Sequence, residues 1–114
     1  MALPLFFETR AHVLVCTGPR CGQAGARALF QRAWAEAERR RLAYYVRGGT
    51  LRLTESGCLG ACAHGPNAVV YSGDEDGALS EAWFCKLDDA RLLALLEALQ
   101  KGSPLPSDGR YDRR

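Results

Sequence analysis

Two short, glycine-rich segments each contain a pair of cysteines, and these pairs constrain the chain more than any other feature. Cys16 and Cys21 have four residues between them, and Cys58 and Cys62 have three. Glycine and proline interrupt regular structure, so each pair is predicted to lie in a loop. Thiolates are ligands of zinc and of iron–sulfur clusters, and the four cysteines are therefore candidate ligands of one metal centre.

The rest of the sequence predicts strands and helices in the order β-α-β-β-β-α. Apolar residues at helical spacing predict a helix over Ala24–Arg41, and Asp88 is a candidate N-cap for a final helix ending near Gly102. The predicted strands are Val13–Cys16, Thr50–Glu55, Ala68–Tyr71 and Glu81–Leu87. A β-α-β unit normally has parallel strands, and an antiparallel hairpin would extend its sheet. The prediction is an α/β fold with one four-stranded mixed sheet and two packed helices.

Chain length and composition predict a single domain. The 114 residues are enough for one core and too few for two. We place this domain at residues 1–102 and predict that residues 103–114 form a polar tail that frays. A formal net charge of +2 does not indicate nucleic acid as a partner, and no apolar stretch approaches the ~20 residues of a membrane helix. Without a signal-peptide pattern we expect a cytoplasmic protein, in which cysteines bind metals or carry redox chemistry rather than form structural disulfides.

The spacing of the cysteines favours an iron–sulfur cluster over zinc. Each iron of a two-iron cluster takes two thiolates, so two closely spaced pairs suit two irons. Backbone N–H groups of glycine-rich loops can point at the anionic sulfurs, and Cys21 precedes a helix whose positive end favours the thiolate. Structural zinc usually has C-x2-C-like pairs, and a dithiol–disulfide enzyme would need one C-x-x-C pair only. Zinc stays open as the alternative.

The motifs resemble those of the thioredoxin-like [2Fe–2S] ferredoxins. The resemblance lies in the strand ending at Cys16, the segment Cys58-Leu59-Gly60-Ala61-Cys62, and the following run Gly65–Tyr71. The same arrangement occurs in the small iron–sulfur subunit of respiratory NADH dehydrogenase and in related hydrogenase subunits. It covers about residues 11–102. The four-residue gap of the first pair is that of the respiratory subunits, but their N-terminal helical extension has no counterpart here, so the chain looks like a free-standing member.

The resemblance implies a thioredoxin-like fold and a function. Cys16 and Cys21 would bind one iron of a [2Fe–2S] cluster, and Cys58 and Cys62 the other. The protein would be a one-electron carrier without a substrate of its own, and the resemblance also suggests a homodimer. Its redox partner, a flavoprotein, hydrogenase or reductase, is not identified by the sequence. The alternatives are a zinc-binding or metal-free structural or interaction protein of the same fold, and an accessory domain that works only inside a larger complex.

Several other residues attract attention, and for each the structural interpretation is favoured. Cys85 is predicted to be a small thiol of the last strand, and His12 a structural residue of the first. His64 follows Cys62 by two residues and could ligate a Rieske-like site or zinc, but four cysteines already supply a full set, so an exposed loop histidine is favoured. The charged runs 39–41 and 74–76 are predicted to be solvated, and Trp34 and Trp83 are predicted to belong to the core.

Overall fold

The computed structural model describes residues 9–18, 25–43, 45, 49–57, 65–73, 79–107 and 109–111. Within these residues, four strands and two helices follow one another in the predicted order. The elements are β1 (Ala11–Cys16), α1 (Ala26–Arg39), β2 (Leu51–Ser56), β3 (Ala68–Gly73), β4 (Leu79–Phe84) and α2 (Asp89–Lys101). The order β-α-β-β-β-α is therefore confirmed. No helix among the described residues is long and apolar enough to cross a membrane.

The four strands form one mixed sheet in the order β2-β1-β3-β4. Strands β1 and β2 are parallel, with Cys16 opposite Ser56, as expected for a β-α-β unit. Strand β3 runs antiparallel to β1, with Val15 opposite Ala68, and β4 runs antiparallel to β3, with Ala68 opposite Phe84. The carboxyl ends of β1, β2 and β4 and the start of β3 consequently meet at one edge of the sheet.

A single face of the sheet carries the hydrophobic core. Alternate residues of each strand point to this face, and the two helices cover it. The strand residues of the core are Ala11, Val13, Val15, Leu51, Leu53, Ala68, Val70, Ala82 and Phe84, and the main helix residues are Leu29, Ala33, Ala37, Leu92, Leu95, Leu96 and Leu99. The leucine stripe predicted for the last helix is thus confirmed. In α1 the predicted stripe is only partly buried, because Phe30 and Trp34 lie at the margin of the core.

The predicted first helix was too long at its carboxyl end. It ends at Arg39 because Arg41 takes a left-handed conformation, with φ 60°. The N–H of Arg41 donates to the carbonyl of Glu38 (3.1 Å) and that of Leu42 to Ala37 (2.8 Å), which is the bonding pattern of a Schellman motif. The predicted start at Ala24 lies outside the described residues.

The boundaries of the last strand were also wrong. Strand β4 ends at Phe84, three residues before the predicted end at Leu87, because Lys86 takes a left-handed conformation with φ 51°. That turn leads to Asp88, which caps α2 as predicted, its carboxylate accepting from the Arg91 N–H at 2.8 Å.

The described residues after Ser103 do not fray as predicted. Leu105 packs against the core, and residues 109–111 lie beside the end of β4. The Cys85 N–H donates to the Gly109 carbonyl at 2.8 Å, and the Tyr111 N–H donates to the Trp83 carbonyl at 3.0 Å. We call residues 103–111 the C-terminal strap, of which residue 108 is not described. A domain limit at residue 102 stays a prediction.

Candidate functional site

The edge of the sheet where β1 and β2 end is the candidate site. Cys16 is the last residue of β1 and is fully buried, and its register partner Ser56 is the last residue of β2. Carboxyl ends of parallel strands meet at the same edge, so the segment after Cys16 and the segment after Ser56 leave the sheet side by side. The first segment leads from Cys16 to Cys21, and the second contains Cys58 and Cys62.

Hydrogen bonds fix the position of Cys16 from both neighbouring strands. Its N–H donates to the carbonyl of Asn67 at 2.9 Å, and Asn67 is itself fully buried just before β3. On the other side, the N–H of Thr17 donates to the carbonyl of Ser56 at 3.1 Å, and the Thr17 hydroxyl donates to the same oxygen at 3.1 Å. Three strands are therefore tied together around Cys16.

Only one of the four predicted ligands belongs to the described residues. Cys16 is described, whereas Cys21, Cys58 and Cys62 lie outside them, as does His64. Within the described ranges, no group of three or more His, Cys, Asp or Glu side chains could hold a metal ion. The fold nevertheless fixes where segment 58–64 begins and ends: Gly57 follows β2, and Gly65–Asn67 leads into β3, both at the edge where Cys16 lies.

Cys85 lies at the same edge, which the sequence did not indicate. It directly follows β4, and extending the register of Ala68 with Phe84 by one residue sets Cys85 beside Asn67. Its side chain is half-buried, and no disulfide joins it to Cys16. The strand order, which no local pattern encodes, brings this fifth cysteine near the site with the width of β3 between it and Cys16.

The other residues singled out from the sequence have structural contacts. His12 Nε2 and Thr54 Oγ1 share a hydrogen bond of 2.8 Å between β1 and β2, in accord with the structural role expected of His12. Trp34 lies between Phe30 and Tyr45, with ring centroids 5.9 Å and 6.0 Å away, and Trp83 lies 6.3 Å from Tyr111.

Of the two charged runs, the basic run 39–41 belongs to the described residues. Arg39 and Arg40 both pair with Glu36, and Arg40 also pairs with Glu97 of α2. These arginines thus have partners on the helices at an exposed surface. The acidic run 74–76 lies outside the described residues.

Sequence reasoning missed the contribution of Thr17 and Asn67 to this edge. Neither has a metal-ligating side chain typical of such sites, and although Asn67 lies in the run Gly65–Tyr71 that carries the resemblance, nothing there marked its role. The signal that was available is positional: each is adjacent to a strand end of the predicted β-α-β-β unit, where hydrogen bonds must hold the loops in place.

The described part of this edge fits an iron–sulfur site. Cys16 brings a soft sulfur ligand in a buried position, and the fold starts both cysteine segments from one edge, so that thiolates from two pairs can converge there. Buried thiolates next to backbone N–H groups are the setting in which such clusters are stabilised.

Comparison with solved structures gave several matches, whereas neither a scan against protein-family models nor a search of the curated proteins gave one. The crystal structure of the wild-type thioredoxin-like [2Fe–2S] ferredoxin from Aquifex aeolicus is similar to this chain with a TM-score of 0.61 and 27% identity. The match covers 84% of this chain and 91% of that one. A cysteine-to-serine variant of the same ferredoxin matches with a TM-score of 0.67 and 26% identity over 90% of this chain and 99% of that one.

The likeness extends over nearly the whole of both chains, and the four-stranded mixed sheet with its two helices is a thioredoxin-like fold. The chain is therefore similar to the thioredoxin-like [2Fe–2S] ferredoxins and shares their fold.

Proposed function

We propose that this protein is a one-electron carrier with a [2Fe–2S] cluster held by Cys16, Cys21, Cys58 and Cys62, and that it has no substrate of its own. The observation that carries the proposal is the register of Cys16 with Ser56, which starts both cysteine segments from one edge of the sheet. The likeness to [2Fe–2S] ferredoxins supports the same assignment.

The cluster, when bound, supplies a single-electron redox couple, and the protein's own residues hold it in place and tune its reduction potential. The buried strand end keeps water from the Cys16 thiolate, and β3 holds its backbone in place through the bond to Asn67. Both helices pack against one face of the sheet, so Cys16 should change position little when the charge of the site changes. A rigid donor set of this kind favours rapid electron exchange.

The partners in this proposal are redox proteins of the cytoplasm, such as a flavoprotein, a hydrogenase or a reductase. A homodimer is proposed as well, on the family resemblance. Light scattering coupled to size-exclusion chromatography measures the oligomeric state. Co-purification with a flavoprotein or a hydrogenase, and poor behaviour without it, would instead indicate an accessory domain of a larger complex.

Metal analysis tests the central proposal. Protein that is purified, or reconstituted under anaerobic conditions, is expected to be red-brown and to contain two irons and two acid-labile sulfides per chain, as a [2Fe–2S] cluster requires. Colourless protein with stoichiometric zinc after the same reconstitution would contradict the proposal and favour a zinc-binding member of the fold.

A further inference from the structure

A threonine hydroxyl joins the two chain segments that lead to the cysteine pairs. The Thr17 N–H donates to the Ser56 carbonyl, as the ladder between parallel strands requires. The Thr17 Oγ1 donates to the same oxygen at 3.1 Å, and this second bond is one that no ladder needs. Ser56 adds to the connection, because its own Oγ lies 2.9 Å from the Gly57 carbonyl oxygen and 3.4 Å from that of Val15.

The position of this link is unusual in the chain. Thr17 directly follows Cys16, and Ser56 precedes Cys58 by two residues. Under the proposed function, on which this inference rests, these two cysteines belong to different ligand pairs. The hydroxyl bond therefore ties one pair to the other through their nearest neighbours, although Thr17 and Ser56 are 39 positions apart.

A second side-chain link between the same two strands provides a comparison. His12 and Thr54 share a hydrogen bond of 2.8 Å, four residues before Cys16 along β1 and two before Ser56 along β2. Both links use a threonine hydroxyl, and both are partly buried. The two links differ in their distance from the edge where Cys16 lies. Comparing variants of the two links therefore distinguishes an effect on the whole sheet from an effect on the site.

We propose that Thr17 is a positioning residue whose hydroxyl holds the Cys16 and Cys58 segments in the relative arrangement that retains the cluster. The hydroxyl bonds to a carbonyl and not to a ligand atom. Its loss should therefore change how readily the ligand pairs separate, and leave the absorption spectrum of the intact centre unchanged. Separation of the pairs is the event that admits a chelator to the iron.

The experiment compares Thr17→Val, which keeps the shape and the backbone bond, with Thr17→Ser, which restores the hydroxyl. Thr54→Val is the matched control for a lost hydroxyl between the same strands. All proteins are loaded with iron and sulfide, and bleaching of the visible absorption by excess EDTA is timed. Unfolding of the metal-free proteins in urea is measured in parallel.

We expect Thr17→Val to bleach roughly fivefold faster than the wild type, the factor that corresponds to about 1 kcal/mol for one hydrogen bond. Thr17→Ser should bleach at nearly the wild-type rate. Thr54→Val should destabilise the metal-free fold at least as much as Thr17→Val does, yet bleach like the wild type. Thr17→Ala is measured as well, because it removes the same hydroxyl if valine disturbs the fold.

Equal bleaching of wild type, Thr17→Val and Thr17→Ala, with iron bound in all, would overturn this inference and leave the proposed function standing. Faster bleaching of Thr54→Val to the same degree would also overturn it, as would failure of Thr17→Val and Thr17→Ala to fold, because the hydroxyl would then act on the sheet in general. Wild-type protein that takes up no iron would overturn the proposed function and, with it, the inference.

Discussion

Cys16 is fully buried at the end of a central strand, with β2 on one side and β3 on the other. Its backbone is bonded to Asn67, and the next residue is bonded to Ser56. A ligand in such a position cannot be replaced by a neighbouring group without displacing part of the sheet. Cys85, in contrast, lies one strand further away and is half-buried at the end of β4.

Serine substitutions should therefore divide the five cysteines four to one. A serine oxygen is a harder and weaker ligand for iron than a thiolate, so Cys16→Ser, Cys21→Ser, Cys58→Ser and Cys62→Ser should lose or visibly alter the cluster. Cys16→Ser should be worse than Cys21→Ser, because the sequence predicts a glycine–proline loop around Cys21, where another group could substitute. Visible absorption and iron content measure the outcome.

Cys85→Ser is the matched control for this series. It should leave the absorption unchanged and cost about 1 kcal/mol of stability or less, since the side chain is only half-buried. Bleaching in this variant, together with an unaffected spectrum in one of the other four, would contradict the assignment. It would move Cys85 into the ligand set; among the described residues, β3 lies between Cys85 and Cys16.

The reduction potential should lie near the ~−400 mV typical of all-cysteine ferredoxins and below the Rieske range. Four thiolates make the site more anionic than one with neutral histidine ligands, which disfavours the addition of an electron. Redox titration followed by electron paramagnetic resonance measures the potential. His64→Ala should leave it nearly unchanged, and a Rieske-like signal that this variant abolishes would show that His64 is a ligand.

His12 should make stability depend on pH. Partial burial and, to a lesser degree, the charge of Arg52 hold the pKa of His12 below its ordinary value of 6.5. The unfolded chain then binds the proton more tightly than the folded one. The contribution of His12 is consequently complete above pH 6.5 and is lost as the pH falls below 6.5 and through the folded pKa.

Urea unfolding of the metal-free protein between pH 5 and 7.5 tests this expectation. The midpoint should fall with pH in the wild type, and His12→Gln should flatten the lower part of the profile. An identical slope in wild type and His12→Gln would show that the His12 pKa is the same in the folded and unfolded states.

At the scale of the elements, the two helices end for different reasons, and this explains which of their limits the sequence could predict. Helix α2 has a side-chain cap at Asp88 and a glycine in the left-handed conformation at Gly102, both of which are recognisable signals. Helix α1 ends through Arg41, a residue type that gives no such signal. The limits of α2 were therefore predictable, and the end of α1 was not.

The cap of α2 can be removed selectively. Asp88→Ala should lower the free energy of unfolding by about 1 kcal/mol, because it leaves the Arg91 N–H without its carboxylate acceptor. Asp88→Ser, which can also cap, should recover most of the loss. Urea denaturation measures both, and a loss in the serine variant as large as in the alanine variant would argue against a capping role.

At the scale of the whole molecule, a short chain segment pairs with each of the two outer strands of the sheet, β2 and β4. Ala43 bridges to Leu51 beside the start of β2, and Arg110 of the C-terminal strap bridges to Phe84 beside the end of β4. Covered edges limit pairing with other chains. The strap has close backbone contact there, because a Cβ on Gly109 would lie 2.5 Å from the Cys85 carbonyl oxygen.

Alanine substitutions at Gly102 and Gly109 distinguish the effect of this backbone contact from the energetic cost of alanine at a positive φ. Gly102 and Gly109 have similar positive φ values, 71° and 79°, so alanine at either costs about 1–2 kcal/mol of backbone strain. Only Gly109→Ala adds a clash with backbone. It should release the strap and speed hydrogen exchange at the Cys85 and Tyr111 amides, whereas Gly102→Ala should leave those two amides protected. Protection of both amides in Gly109→Ala would contradict the contact.

The sequence predicted the sheet because each strand had a clear pattern and the β-α-β rule supplied the parallel pair. It also placed the cysteine pairs after the strands that meet at one edge. Three features depend on contacts between distant residues and had no local signal. The C-terminal strap has a polar sequence but pairs with β4, Cys85 reaches the site edge through strand order alone, and the Thr17–Ser56 bond exists only in the assembled register.

The parallel pairing of β1 with β2 also sets an order of events during synthesis. Thr17 leaves the ribosome 39 residues before Ser56, which at ~5–20 residues per second is a delay of roughly 2–8 s. Throughout that interval Cys16 and Cys21 have no second pair to complete the site, and the carbonyl of Asn67, which accepts from the Cys16 N–H, has yet to be made. Iron delivered to a nascent chain would therefore meet half a ligand set. Under the proposed function, loading of the cluster is therefore expected to follow translation of β3.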